Sequence, residues 1–235
     1  MRELPILFSG PMVRAILDGK KTQTRRALKG SKHHDYDFSR GWVDPSGMCR
    51  VPVLKVPYKH KDDQWEQEKD DDTITRIWPK YQVGDRLWVR ETWQAFYAGT
   101  NRIASSDHIK PHIAALWTVA YKADDTSGCE CWRPSIHMPR WASRITLEVT
   151  GVRVERLQDI SIQDSIAEGI RCPLCGYTDR DVAEQMDHYI CSAKGGDRTA
   201  IDEYRDIWDS INGKTYPWNS NPWVWIYEFK KEPTP

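Results

Sequence analysis

Apolar residues alternate along some stretches of this chain and recur every three or four positions along others, and the two rhythms predict an ordered set of strands and helices. Leu4 to Phe8 is a short apolar run, the mark of a buried strand. Ser9-Gly10-Pro11 then supplies a cap and a first-turn proline for a helix. In that helix Met12, Val13, Ile16 and Leu17 fall on one face, and Gly19 stands where a C-terminal cap belongs. Arg86 to Trp93 alternates, with Leu87, Val89, Glu91 and Trp93 on one face and Trp88, Arg90 and Thr92 on the other, so Glu91 lies on the apolar side. A second long strand starts at Arg144 and runs through Ile145, Leu147 and Val149, with Gly151 marking a bulge before Val152 and Val154. Ser161 and Asp164 have the spacing of a capping box, opening a short helix through Ile166 that stops at Gly169. Ile201, Tyr204, Ile207, Trp208 and Ile211 form a helical stripe closed by Gly213. Finally Trp223, Trp225, Tyr227 and Phe229 alternate with Val224, Ile226 and Glu228, the pattern of a strand covered on both faces.

Strands separated by helices without a regular βαβ rhythm predict an α+β domain with a small, curved or closed sheet. Residues 30 to 80 read differently. Gly41, Pro45, Gly47, Pro52 and Pro57 precede a charged stretch from Lys59 to Asp72, which together predict a long insertion of irregular structure. No repeat of 20 to 50 residues divides the chain, so the expectation is one domain over residues 1 to 235.

Composition sharpens this picture. With 235 residues, 39% of them hydrophobic, the chain can build one sizeable core or two small ones, which excludes a disordered tail. Its 34 Lys and Arg balance 34 Asp and Glu, so no broadly basic coat awaits nucleic acid and any phosphate site must be a local patch. No run approaches the roughly 18 apolar residues of a membrane span, and Met1 to Pro5 lacks the apolar centre of a signal peptide. The expectation is a soluble, cytoplasmic protein. Six cysteines in such a chain read as reduced thiols or metal ligands, and 12 tryptophans suit either a core or stacking on bases.

One segment departs from that neutrality. Residues 19 to 32 carry six cations and no acid: Lys20, Lys21, Arg25, Arg26, Lys29 and Lys32, interleaved with Thr22 and Thr24. At a helix C-terminus a cation compensates the dipole and a solvated face tolerates several. Six of them, with hydroxyls between, also suit a grip on phosphate or on a polar base edge. Glu91, from its apolar face, is open to three roles: a surface residue out of place, a salt-bridge partner for this cluster, or an acid and base group. A threonine hydroxyl needs a neighbouring base to become a nucleophile, and a lysine serves when burial or adjacent cations lower its pKa. Lys21 and Thr24, three apart, meet in a turn but point to opposite faces in a strand.

Gly19, Lys21, Thr24 and Arg26 reproduce the G-x-K-x-x-T-x-R signature, and here the chain resembles ASCH domains of the PUA-like superfamily, particularly those of bacteriophages and prophages. The segments around Pro5 to Phe8, Gly84 to Glu91 and Arg144 to Leu157 are similar as well. Residues 30 to 80, 95 to 140 and 171 to 198 are then insertions into the family's minimal core. The resemblance implies a small β-barrel with flanking helices and a ligand that is RNA, DNA or a modified nucleoside, in the host cytoplasm if the protein is phage-encoded. It also implies two activities, hydrolysis of N4-acetylcytidine and ribonuclease action, with Lys21, Thr24 and Glu91 as the catalytic set. Lys20, Arg25 and Arg26 would contact the nucleic acid and Trp93 or Trp88 would stack on a base. The other readings are a binding module without chemistry, and a phage assembly or host-interaction protein using the fold as scaffold.

Cys172 and Cys175, then His188 and Cys191, give C-x2-C-x12-H-x2-C, a spacing that lets four side chains close a tetrahedron around zinc with no open position. Such a site is structural and would organise an insertion too poor in apolar groups to fold alone. Cys129 and Cys131 with His137, and Cys49 as a fourth candidate, are a weaker set that reads as thiols. Metal analysis of protein purified without chelator is expected to return one zinc per chain, falling to none when Cys172 and Cys175 are both replaced by Ser.

Overall fold

The computed structural model describes residues 1–28, 37–43, 50–55, 74–76, 79–100, 102–104, 116–124, 131–170 and 199–233, with backbone alone for 37–43, 50–55 and 74–76. Along the chain these form β1 (Glu3–Leu7), α1 (Gly10–Leu17), β2 (Gln23–Ala27), β3 (Asp37–Val43), β4 (Arg50–Lys55) and β5 (Ile74–Arg76). There follow β6 (Arg86–Arg90), β7 (Trp93–Tyr97), β8 (Trp117–Tyr121), β9 (Thr146–Arg156), α2 (Ile162–Ala167), α3 (Ala200–Asn212) and β10 (Trp223–Lys231). The fold is α+β, as the pattern predicts. No helix among the described residues is long and apolar enough to cross a membrane.

A five-stranded sheet in the order β1-β6-β9-β10-β2 is the frame. Only β1 and β6 run parallel; the other pairs are antiparallel. The last strand, β10, carries the pattern that makes the sheet two-sided. Trp225, Tyr227 and Phe229 join Ile6, Phe8, Leu87, Val89, Leu147 and Val149 in a core with Val13 and Ile16 of α1. From the opposite face Val224 and Ile226 pack on Leu157, Ile160, Tyr204, Trp208 and Trp218, beneath α2 and α3. The expected bulge falls where β9 and β10 shift register between Glu228 and Phe229, opposite the Gly151 region. On α3, Tyr204 and Trp208 go inward while Ile207 and Ile211 stay exposed, so the stripe is narrower than its spacing suggests.

β1 and β2 are the two edges of this sheet, and no backbone pairing joins them among the described residues. Side chains do. Arg26 on β2 donates from Nη2 to the Leu7 carbonyl on β1 at 2.9 Å, its guanidinium lies 5.4 Å from the Phe8 ring centre, and Phe8 packs on Phe229. Tyr81 fills the space beside them, donating its hydroxyl to the Pro5 carbonyl at 2.8 Å and meeting Tyr227 edge-on. The sheet therefore curls until its edges face each other across a seam lined by Phe8, Arg26 and the two tyrosines.

Three departures from the sequence pattern have physical causes. Arg86 to Trp93 breaks after Arg90: Glu91 and Thr92 form a corner, and Trp93 begins a hairpin with β8 in a separate two-stranded sheet. That pair of strands starts two residues before the expected insertion at 95 to 140, and Trp93, Ala95, Trp117, Met138 and Ala142 give it a small core of its own. The span from 30 to 80, expected to be irregular, holds the three-stranded sheet β3-β4-β5. Pro52 lies on the central strand, a place proline normally avoids. The register shifts there, between the pairs formed by Val51 and Val53, so the missing N–H falls where the ladder is interrupted.

The turn into β6 depends on Asp85, whose carboxylate accepts from Arg2 Nε at 3.1 Å and from the Gln82 N–H at 2.8 Å. Burial alone would raise this carboxyl; the bonds from Arg2 and Gln82 outweigh it and hold the group below the ordinary aspartate range. A depressed native pKa contributes stability that is complete above the unfolded value of about 4 and is lost as pH falls through the native one. Urea unfolding between pH 6 and about 2 is expected to show that loss, and Asp85→Asn is expected to flatten it while weakening the fold at neutral pH.

Candidate functional site

The basic segment is, from Gln23 on, an edge strand paired with β10 and not the turn in which Lys21 and Thr24 would meet. Gly19 ends α1 with φ of 71°, and Lys20 and Lys21 both donate their N–H to the Ala15 carbonyl, so the chain reverses before the strand begins. Alternation then divides the side chains. Lys21, Gln23 and Arg25 reach α2, whereas Thr24 stands opposite Tyr227 and Arg26 crosses the seam to Leu7.

On the α2 side the cations are buried and paired. Lys21 Nζ, fully enclosed, donates to the Glu168 carbonyl at 2.8 Å and to its Oε2 at 2.7 Å. Arg25, also enclosed, meets Asp164 Oδ2 at 3.0 Å, Glu168 Oε1 at 3.4 Å and Glu155 Oε2 at 3.5 Å, while its Nε has no partner among the described residues. Gln23 donates to the carbonyl and carboxylate of Asp164, and Arg153 bonds Asp164, Glu155 and Glu228. Burial would raise the Asp164 carboxyl, but Gln23, Arg25 and Arg153 together hold it below the ordinary range. For Lys21 burial dominates and lowers the pKa, with Arg26 and Arg25 adding to it and Glu168 opposing. Gly169 makes this geometry possible. Its φ is 86°, and a Cβ there would meet the Ala15 Cβ at 2.8 Å and the Lys21 Cβ at 3.1 Å, so α2 ends directly against α1 and Lys21 only without a side chain.

Glu91 belongs to a different pair. At 1% exposure it accepts from Arg144 Nε at 2.9 Å and Nη2 at 3.1 Å, and Arg144 also forks onto Asp124 while lying 3.9 Å from the centre of the Tyr121 ring. Burial, first, and then the Asp124 charge push the Glu91 carboxyl up, with Arg144 opposing. Tyr121 is pushed up to about 12, mainly by burial. Glu91 thus fixes the β7–β8 hairpin to the sheet by ion pairing, with Arg144 as its partner and not the cluster on β2.

Two of the expected site residues, Lys21 and Arg26, face Phe8. Lys21 Nζ is 5.6 Å from its ring centre and the Arg26 guanidinium 5.4 Å, and its N–H donates to the Arg90 carbonyl, one residue before Glu91. Thr24 is buried opposite Tyr227, and alternation sets it on the other side of the strand from the side chains that reach α2. Lys20 is exposed. Two residues expected at a ligand are inside: Arg25 has no exposed side-chain surface, and Trp93, at 2% exposure, packs edge-on against Trp141. In this conformation neither presents a face to a phosphate or a base; Trp88, under the Arg90 guanidinium, keeps partial exposure. Cys172, Cys175, His188 and Cys191 lie outside the described residues, as do Cys49 and Cys129; Cys131 is exposed and His137 sits in a single turn at Ser135–His137. Glu168 and Asp164 were missed by sequence reasoning. Their only signal is the capping position of Asp164 and a carboxylate directly before a helix-ending glycine.

No protein-family model, curated protein or solved structure matches the chain. The residues alone carry the functional argument. A buried ion pair that loses one partner leaves a bare charge, which costs about 3–5 kcal/mol, whereas exchanging both partners for apolar residues is close to neutral. Urea unfolding is expected to show that loss for Lys21→Met and its recovery in Lys21→Met/Glu168→Leu, where Arg25 keeps Asp164 and Glu155.

Proposed function

We propose that the chain is an ASCH-type protein of the PUA-like superfamily that takes a modified nucleoside into the seam between β1 and β2 and hydrolyses it in the manner of an N4-acetylcytidine amidohydrolase. The curled five-stranded sheet is the barrel in this reading. One observation carries it: the Lys21 amine is completely withdrawn from water, 5.6 Å from the ring centre of Phe8, the residue that Arg26 also faces across the seam. Burial is what a lysine needs to act as a base near neutral pH.

The charge balance supports a small ligand over a long polyanion. Lys21 and Arg25 are answered by Glu168, Asp164 and Glu155, which leaves Lys20 and part of Arg26 as open cations among the described residues of the basic segment. Phosphate contacts along RNA or DNA require several such groups. In the reaction, Thr24 Oγ1 bonds to the acetyl carbon while its proton passes to the Lys21 amine. The C–N bond then breaks, the leaving cytidine amine takes a proton, and water hydrolyses the acetyl-threonine to acetate. Glu91, tied to Arg144, borders the site and keeps its corner in place. Cys172, Cys175, His188 and Cys191 are retained as ligands of one structural zinc, remote from this chemistry in role.

A binding module without turnover is favoured by one observation, the contact of Lys21 with the Glu168 carboxylate, which supports the charged ammonium. Incubation with N4-acetylcytidine decides between the two. Release of cytidine and acetate is expected, with kcat reduced at least about 1,000-fold in Thr24→Ala while its thermal unfolding midpoint stays close to that of the parent. Undiminished hydrolysis by Thr24→Ala overturns the nucleophile. Absence of hydrolysis, together with RNA affinity that falls steeply as salt rises, supports the binding module.

A further inference from the structure

Both partners of the Lys21 ammonium belong to one residue. Glu168 offers its backbone carbonyl and its Oε2, and turns Oε1 towards Arg25. It stands at the C-terminal cap of α2, and the left-handed Gly169 behind it presses the backbone against Ala15 and the Lys21 Cβ, so carboxylate and amine are located by the same close approach. Glu91 is committed to Arg144. The charged and titratable groups around Glu168 are Lys21, Arg25 and Arg26 from the β2 segment, Asp164 from α2, Glu155 from β9 through their shared Arg25, and Tyr204 from α3. Burial raises the Tyr204 phenol well above its ordinary range, with the Glu168 charge adding to it.

Stability alone gives little reason for this pair, because a buried ion pair is commonly matched or bettered by apolar residues of similar volume. A base has a use for it. Burial, first, and then Arg26 and Arg25 favour the amine and lower the pKa, while Glu168 favours the ammonium.

We propose that Glu168 is the positioning residue of Lys21: it fixes the direction of Nζ and neutralises the ammonium that forms when Lys21 accepts a proton. This rests on the reading of Lys21 as the base. It adds a carboxylate that the signature does not contain, supplied from the end of α2 and not from the corner after β6 that bears Glu91.

The test follows Lys21 directly, by carbon-detected NMR titration of its Cε in the full chain. In Glu168→Gln the Lys21 midpoint is expected to fall by about one pH unit or more, with Glu168→Asp in between. With N4-acetylcytidine as substrate, the acidic limb of the kcat profile is expected to move down by the same interval, while KM changes less than about twofold. A Lys21 midpoint unmoved in Glu168→Gln overturns the proposal. Should that variant fail to fold, the parent protein decides: the Glu168 carboxyl carbon must shift at the Lys21 midpoint, and a flat trace overturns it. Absence of hydrolysis in the parent overturns the amidohydrolase, while the Lys21 midpoints still decide whether Glu168 governs this amine.

Discussion

The contact between Lys21 and Glu168 is the constraint on which the rest of the arrangement turns. β2 is an edge strand with little apolar content of its own, paired on one side only, to β10. What fastens it to the body is a set of buried cations reaching carboxylates on α2 and β9. Because a charge withdrawn from water must be answered, Lys21 and Arg25 can be enclosed only if Glu168, Asp164 and Glu155 arrive in place. The short α2 helix, its Ser161 cap and the left-handed Gly169 are all conditions of that arrival.

From this follows a division of labour across a single strand. Side chains pointing to α2 hold β2 in position, and side chains pointing the other way, Thr24 and Arg26, meet the seam. Lys21 lies just before the strand and belongs to both groups, bonded to Glu168 yet close to the Phe8 ring. The charge that a composition reading assigns to a ligand is largely used to build the site. Glu91 repeats the theme at the opposite end of β6, where a buried carboxylate and Arg144 fix a hairpin to the sheet.

Much of the frame was legible because periodicity reports local burial. The α1 face, the bulge at Gly151 and the two-sided β10 each show in a dozen residues or fewer. β2 was not legible, since Gln23 to Arg26 contains no apolar residue and local rules place such side chains in water. Their partners stand far along the chain, Glu168 being 143 positions beyond Arg25, and no windowed pattern joins them. Glu91 could be recognised as an anomaly on an apolar face, but its answer, Arg144, sits before another strand and gives no sign of the pairing. The three strands between 37 and 76 were hidden by Gly41 and Pro52, residues that punctuate most strands and here fall in or beside an irregular register.

The bond from Arg26 to the Leu7 carbonyl has a mechanical consequence. The gap between β1 and β2 is spanned by side chains, Arg26 among them, where a continuous barrel would have a ladder of backbone hydrogen bonds. The side-chain contacts there, Arg26 with Leu7 and Phe8, Phe8 with Phe229 and Tyr81 with Pro5, can separate without breaking any of the four strand pairings. Backbone ladders close four joints of the wall, and among the described residues side chains alone close the fifth.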